Sequence, residues 1–133
     1  MSEIVAQLVD KFLGGDEDHA LHGLIELPNE ALPDLIEHFR AESLAPVRAL
    51  LIKAIWEHRE PATIPFLAEA LQDRDEEVWQ EALDGLVALA SREGLGVLEG
   101  AKASRSNRTE DDKRFHRWLE EAIEQVRFQL RAR

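Results

Sequence analysis

Pro61 to Ser91, PATIPFLAEALQDRDEEVWQEALDGLVALAS, reads as one complete helix-turn-helix unit. Ile64, Phe66, Leu67, Ala70 and Leu71 fall at helical spacing behind Pro65, which suits a first helical turn because its missing N–H would be unpaired there anyway. Asp73-Arg74-Asp75 breaks that pattern. The spacing predicts a second helix from about Glu76, with Asp75 accepting from its free N–H groups and Glu76 and Glu77 lying in its positive first turn. Val78, Ala82, Gly85, Leu86 and Leu89 then form one apolar face, in which the small residues at 82 and 85 permit close helix contact. Two helices this short cannot bury their own faces, so the unit needs neighbours.

The neighbours emerge when the pattern is moved along the chain by a fixed period. A shift of 31 residues towards the N-terminus sets Val47, Leu51, Ala54 and Ile55 on Val78, Ala82, Gly85 and Leu86. A second shift of 31 places Ala20, Gly23, Leu24 and Leu27 on Ala82, Gly85, Leu86 and Leu89. Towards the C-terminus, Phe115, Leu119, Ala122, Ile123 and Val126 repeat the spacing at an offset of 37, so the last unit carries about six extra residues between its helices. Three second helices on one period, with a fourth keeping the internal spacing, favour repeats over an ordinary helical bundle. The expected units are about 1–27, 29–59, 61–91 and 94–133 of a single domain.

Val78-Trp79-Gln80-Glu81-Ala82-Leu83-Asp84-Gly85-Leu86 and Pro46-Val47-Arg48 resemble the second helix of HEAT-type repeats. In that helix a valine, often followed by arginine, precedes an alanine and then a small residue plus leucine. The period is shorter than the ~40–47 residues usual for HEAT and armadillo units and is closer to the short bacterial variety that includes phycobilisome-lyase-like repeats. The resemblance implies an all-α fold, an α-α superhelix (a HEAT-like solenoid) of about four antiparallel helix pairs. It is a pattern of packing positions, which specifies fold well and function hardly at all.

Composition narrows the function. The 133 residues are 44% hydrophobic, enough for a proper core. No apolar run approaches the ~18–20 residues of a membrane span, and Met1-Ser2-Glu3 lacks the basic region of a signal peptide, so a cytoplasmic protein without membrane attachment is expected. With no cysteine there is no thiol nucleophile and no cysteine metal site. The net charge of −11 opposes nucleic-acid binding, and it is uneven: residues 1–97 hold 7 basic and 20 acidic side chains, residues 98–133 hold 9 and 7.

No constellation for catalysis, cofactor or metal stands out, and a non-enzyme is expected. Asp18, His22 and Glu26 share a helix face, but ordinary solvated side chains next to a helix start explain them better than a metal site. Deoxyhypusine hydroxylase is similar in repeat type, yet its di-iron site uses His-Glu pairs, and no histidine here is followed by glutamate. Phycobilin lyase subunits are also similar and are longer. They suggest an alternative role as an accessory subunit or small-molecule binder.

The leading expectation is a protein-binding adaptor or scaffold that takes a basic or amphipathic segment on an acidic inner surface lined by the second helices. Positions after the repeat valine, Arg48, Trp79 and His116 with Glu17 in the first copy, would form one row. Lys53, Asp84, Glu121 and His22 would form the next. Arg48, Lys53, Trp79, Asp84 and His116 are therefore the candidate binding residues, although tryptophans such as Trp56, Trp79 and Trp118 are more often partly buried packing residues. A monomer or weak self-association, with the acidic and basic regions meeting head to tail, completes the expectation.

Overall fold

A computed structural model describes residues 2–133. Among these residues, eight α-helices pair in sequence order: α1 (Ser2–Leu13) with α2 (Glu17–Glu26), α3 (Leu32–Ala41) with α4 (Ala45–Glu57), α5 (Ile64–Leu71) with α6 (Glu76–Leu89), and α7 (Arg92–Ser104) with α8 (Glu110–Ala132). The second helices stack as a layer in the order α2, α4, α6, α8, and the first helices lie against them. Between the layers runs one continuous core from Val5 and Leu8 at one end to Ile123 and Val126 at the other.

The sequence dictates most of the helix boundaries. Gly15 adopts φ +99 after α1, a left-handed turn open to glycine without a steric penalty, and Asp16 N–H closes it on Lys11 O at 3.0 Å. Pro33, Pro46 and Pro65 each occupy a first helical turn, in α3, α4 and α5. Short 3-10 turns, Asn29–Ala31 and Pro61–Thr63, lead into α3 and α5, so two successive units open in the same way. Thr109 and Asp112 form a reciprocal cap at the start of α8.

One local expectation needs correction. The Asp75 side chain caps nothing. Asp73 acts instead: its Oδ1 accepts from Asp75 N–H at 3.0 Å, while the Asp75 carbonyl receives Val78 and Trp79 N–H. Asp16 likewise makes no side-chain cap on α2. On α1 the core-facing stripe is Val5, Leu8 and Val9 with Phe12 beside it, whereas Ile4 and Leu13 are exposed.

The start of α7 lies two residues before the expected boundary at 94. Residues 92–94 start this helix rather than end the previous one, because Ala90 at φ +46 supplies the left-handed stop and the Ser91 hydroxyl accepts from Gly94 N–H at 2.9 Å. Gly96 and Gly100 lie on the open side of α7 with nothing near their missing Cβ atoms, and Leu98 and Ala101 hold the other side in the core. Burial of that stripe outweighs the glycines' poor propensity, about 1 kcal/mol each.

Polar ties cross from unit to unit. The His58 ring bridges Leu24 O at 3.2 Å and Asn29 Oδ1 at 2.9 Å, and Asn29 Nδ2 donates to Glu60. Arg40 donates to both carboxylate oxygens of Glu69, over an edge-on contact of Phe39 with Phe66. Within the last pair, by contrast, Arg127 of α8 reaches Glu99 of α7 at 2.8 Å.

Candidate binding surface

The two rows of candidate residues have different fates. Arg48 lies largely buried, with its guanidinium 4.4 Å from the Phe39 ring centre and 2.6 Å from Asp73 Oδ2, a strut between α4 and the loop before α6. Trp79 is 2% exposed and packs edge-on against Phe115 at 5.1 Å. His116 lies against Phe115, and its Nε2 donates to the carbonyls of Arg105 and Ser106, both 3.1 Å away. Arg48 and Trp79 therefore face the following helix pair or its loop, His116 is held by the loop of its own pair, and Glu17 is exposed. A residue one step past a core valine is rotated about 100° around the helix, towards the neighbouring unit. Trp79 as a surface anchor is overturned by that burial.

The second row does reach solvent. Lys53 is half-buried on α4, while Asp84 and Glu121 are exposed on α6 and α8. His22 is exposed as well, its Nδ1 2.8 Å from the Asp18 carbonyl oxygen. Glu57 on α4 and Glu77 and Glu81 on α6 join Lys53 and Asp84, so the α4–α6 part of this surface carries four carboxylates and one ammonium. Glu81 accepts from Trp56 Nε1 at 3.2 Å. Loss of water around Glu81 holds its carboxyl above the usual range; Trp56 and Lys53 pull it down, and Asp84 and Glu57 push it further up. Partial desolvation also raises Asp84, against the pull of Lys53.

Ion pairing separates this surface from others on the molecule. Glu69, Glu76, Glu99 and Glu120 each pair with a cation from another helix at 2.6–2.8 Å. Glu77, Glu81, Asp84 and Glu121 have no ion pair among the described residues, and Glu57 has only Arg59 at 3.9 Å. The sequence reading missed Glu57 and Glu81. The signal was present, since residues 77, 81 and 84 recur at four and three and must share one face of a helix.

Trp56 shapes the floor of the same surface. A Cβ on Gly85 would meet Trp56 Cγ at 2.7 Å and Cβ at 2.8 Å, so glycine is what lets the indole lie across α6. That approach brings Nε1 to Glu81.

A groove of about 1000 Å³ lies elsewhere, on the outward side of α8. The 105–109 loop forms one wall with Asn107, and the indole of Trp118 forms the other side. Asp112 pins the loop, accepting from the Ser106 hydroxyl at 2.7 Å, from Arg108 and Thr109 N–H, and from Arg105. These donors, Ser106 foremost, hold the Asp112 carboxyl well below the usual range. The loop between α7 and α8 is thus tied to the start of α8. Among the described residues, no group of three or more His, Asp or Glu side chains could hold a metal, and no helix is long and apolar enough to cross a membrane.

Stacked helix pairs on a 31-residue period, with a small residue where neighbouring helices touch, define an α-α repeat. Residues 32–111 match the family of HEAT repeats, and the chain belongs to that family. Such domains are generally protein-binding scaffolds and usually non-catalytic. Neither curated proteins nor solved structures gave a match.

Proposed function

We propose that the protein is a non-catalytic scaffold that binds a basic or amphipathic protein segment across α4 and α6, and that all four helix pairs, including the outer ones, act as repeat units. One observation carries the reading: Glu77, Glu81 and Asp84 line one stripe of α6 beside Glu57, with Lys53 as the nearby cation and no ion pair for the three α6 carboxylates among the described residues. Carboxylates raised by partial desolvation gain from an arriving Lys or Arg, which restores favourable interactions for the charged form. The partly buried Trp56 offers an apolar strip beside them for an amphipathic partner. Lys53 and Asp84 remain binding residues in this reading, with Glu57 and Glu81 added; Arg48 ties its unit to the next, and His116 holds the loop before α8.

The probe is a fluorescent amphipathic peptide of about 20 residues built from Lys and Leu. Titrated into the full chain, it should bind with an affinity that falls as salt rises. Glu81→Gln with Asp84→Asn should weaken binding about tenfold, roughly 1.4 kcal/mol. Equal binding by the wild type and this variant, with both folded by circular dichroism, would sink the reading. The accessory-subunit alternative calls for a buried pocket with converging polar groups, whereas the groove on α8 is an open one.

A further inference from the structure

The α8 groove occupies a defined place in the repeat. On α6, positions 76, 79, 80, 83 and 87 form the side turned to α8: Trp79 meets Phe115, and Glu76 meets Arg114 at 2.8 Å. At the offset of 37 these positions become Lys113, His116, Arg117, Glu120 and Glu124. The groove therefore lies where a following helix pair would stack, and there polar side chains replace the buried Trp79 and Leu83.

This side is cationic on an acidic protein. Lys102, Arg105, Lys113 and Arg117 line the groove with His116, against Glu120 and Glu121. Lys102 is held by Glu120 and Arg105 by Asp112, but Arg117 has no ion pair among the described residues, and Lys113 has only the exposed Glu110 at 3.7 Å. The opposite end has the complementary charge: residues 2–30 carry one lysine and seven carboxylates, all seven exposed, Asp10 and Glu26 among them. Among the described residues, four of the five large apolar side chains exposed to solvent also belong to the two terminal pairs: Ile4 (46%) and Leu13 (56%) on α1, Trp118 (42%) and Phe128 (66%) on α8. Both ends thus combine unmatched charge with apolar surface, and the charges are of opposite sign.

We propose that the α8 groove receives the acidic α1–α2 end of a second copy of this chain, continuing the stack from one molecule into the next. The interface is heterologous, because a groove meets a different surface, so each added copy offers a fresh groove and association is open-ended rather than stopping at a dimer. This contact is separate from the α4–α6 surface and does not depend on what that surface binds.

Sedimentation equilibrium on the full chain tests the proposal. At about 0.1 M salt or below, the weight-average mass should climb with concentration past the dimer; near 1 M salt, where the screening length falls from roughly 10 to 3 Å, it should return to the monomer. Lys113→Glu with Arg117→Glu, and separately Asp10→Lys with Glu26→Lys, should each remain monomeric at low salt. All four positions are exposed, and circular dichroism verifies the fold of each variant. Mixed in equal amounts, the two variants should associate again, since each supplies the end that the other now complements. Three results overturn the proposal: a wild type that stays monomeric at low salt, which would leave the groove to a different acidic protein; a groove variant that associates like the wild type; or a mixture that stays monomeric while the wild type associates.

Discussion

The junction of α4 with α6 and that of α6 with α8 occupy equivalent places in the repeat, with Arg48 and Trp79 at the same position, but use different chemistry. At the first, Trp56 lies across Gly85 and Arg48 clamps Asp73, so an indole and a largely buried ion pair fix the approach. At the second, Trp79 turns inward against Phe115, and the accompanying ion pair, Glu76 with Arg114, is half-exposed. A repeat thus specifies where two helices meet, while the residues at that meeting decide whether the joint rests on close backbone approach or on aromatic packing. The first kind depends on an absent Cβ and the second on a large side chain.

Truncation should break the second junction most severely. Trp79→Ala removes a fully packed indole and leaves Phe115 facing a void, at a cost of about 3–5 kcal/mol in urea unfolding. The first junction is sharpened by a two-residue cycle. Gly85→Ala alone should destabilise by about 1–3 kcal/mol, because the new Cβ meets the inner atoms of Trp56, which cannot swing away. After Trp56→Ala, the same glycine substitution should become neutral or stabilising by up to ~1 kcal/mol, as alanine is the better helix former. A cost that is the same in both backgrounds would show that the indole is not the obstacle.

Acid should act on the two regions with opposite sign. Folding raises the Glu81 carboxyl above its ordinary 4.5, so the folded chain holds that proton more tightly, and the Glu81 contribution to stability falls as pH rises through the window above 4.5. Glu81→Gln should therefore raise the melting temperature, relative to wild type, more at pH 7 than at pH 4. Folding depresses Asp112 below 3.8, so its contribution is fully present above that value and drains away as pH falls below it. Asp112→Asn should accordingly lower the melting temperature at pH 7, by an amount that shrinks in strong acid. The smallest effect belongs to Glu120→Ala, which breaks an exposed pair with Lys102 and should leave the unfolding midpoint within error.

The stacking of units was legible in the sequence because each repeat must present small and branched residues at the same helical positions, and Ala82, Gly85 and Leu86 have counterparts in every unit. The start of α7 was hidden because its stop signal is an alanine in a left-handed conformation, while three nearby glycines offered false stops. Asp73 and Asp75 could not be separated by residue type, since either can bond a neighbouring N–H, and only the course of the turn assigns the task to Asp73. At the surface, the Asp84 row was readable from charge. Trp79 was not, because an indole suits an interface and a core equally well, and the partner that decides between them, Phe115, lies 36 residues away in the chain.

The loop before α8 also bears on how the chain folds. Every donor that Asp112 gathers, from Arg105, Ser106, Arg108 and Thr109, lies within seven residues of it. Closing so short a loop costs little chain entropy and needs no distant contact. This corner is complete as soon as the first turn of α8 forms, whether or not the earlier pairs are in place, which makes it a local point from which the last pair can assemble ahead of its docking on α6.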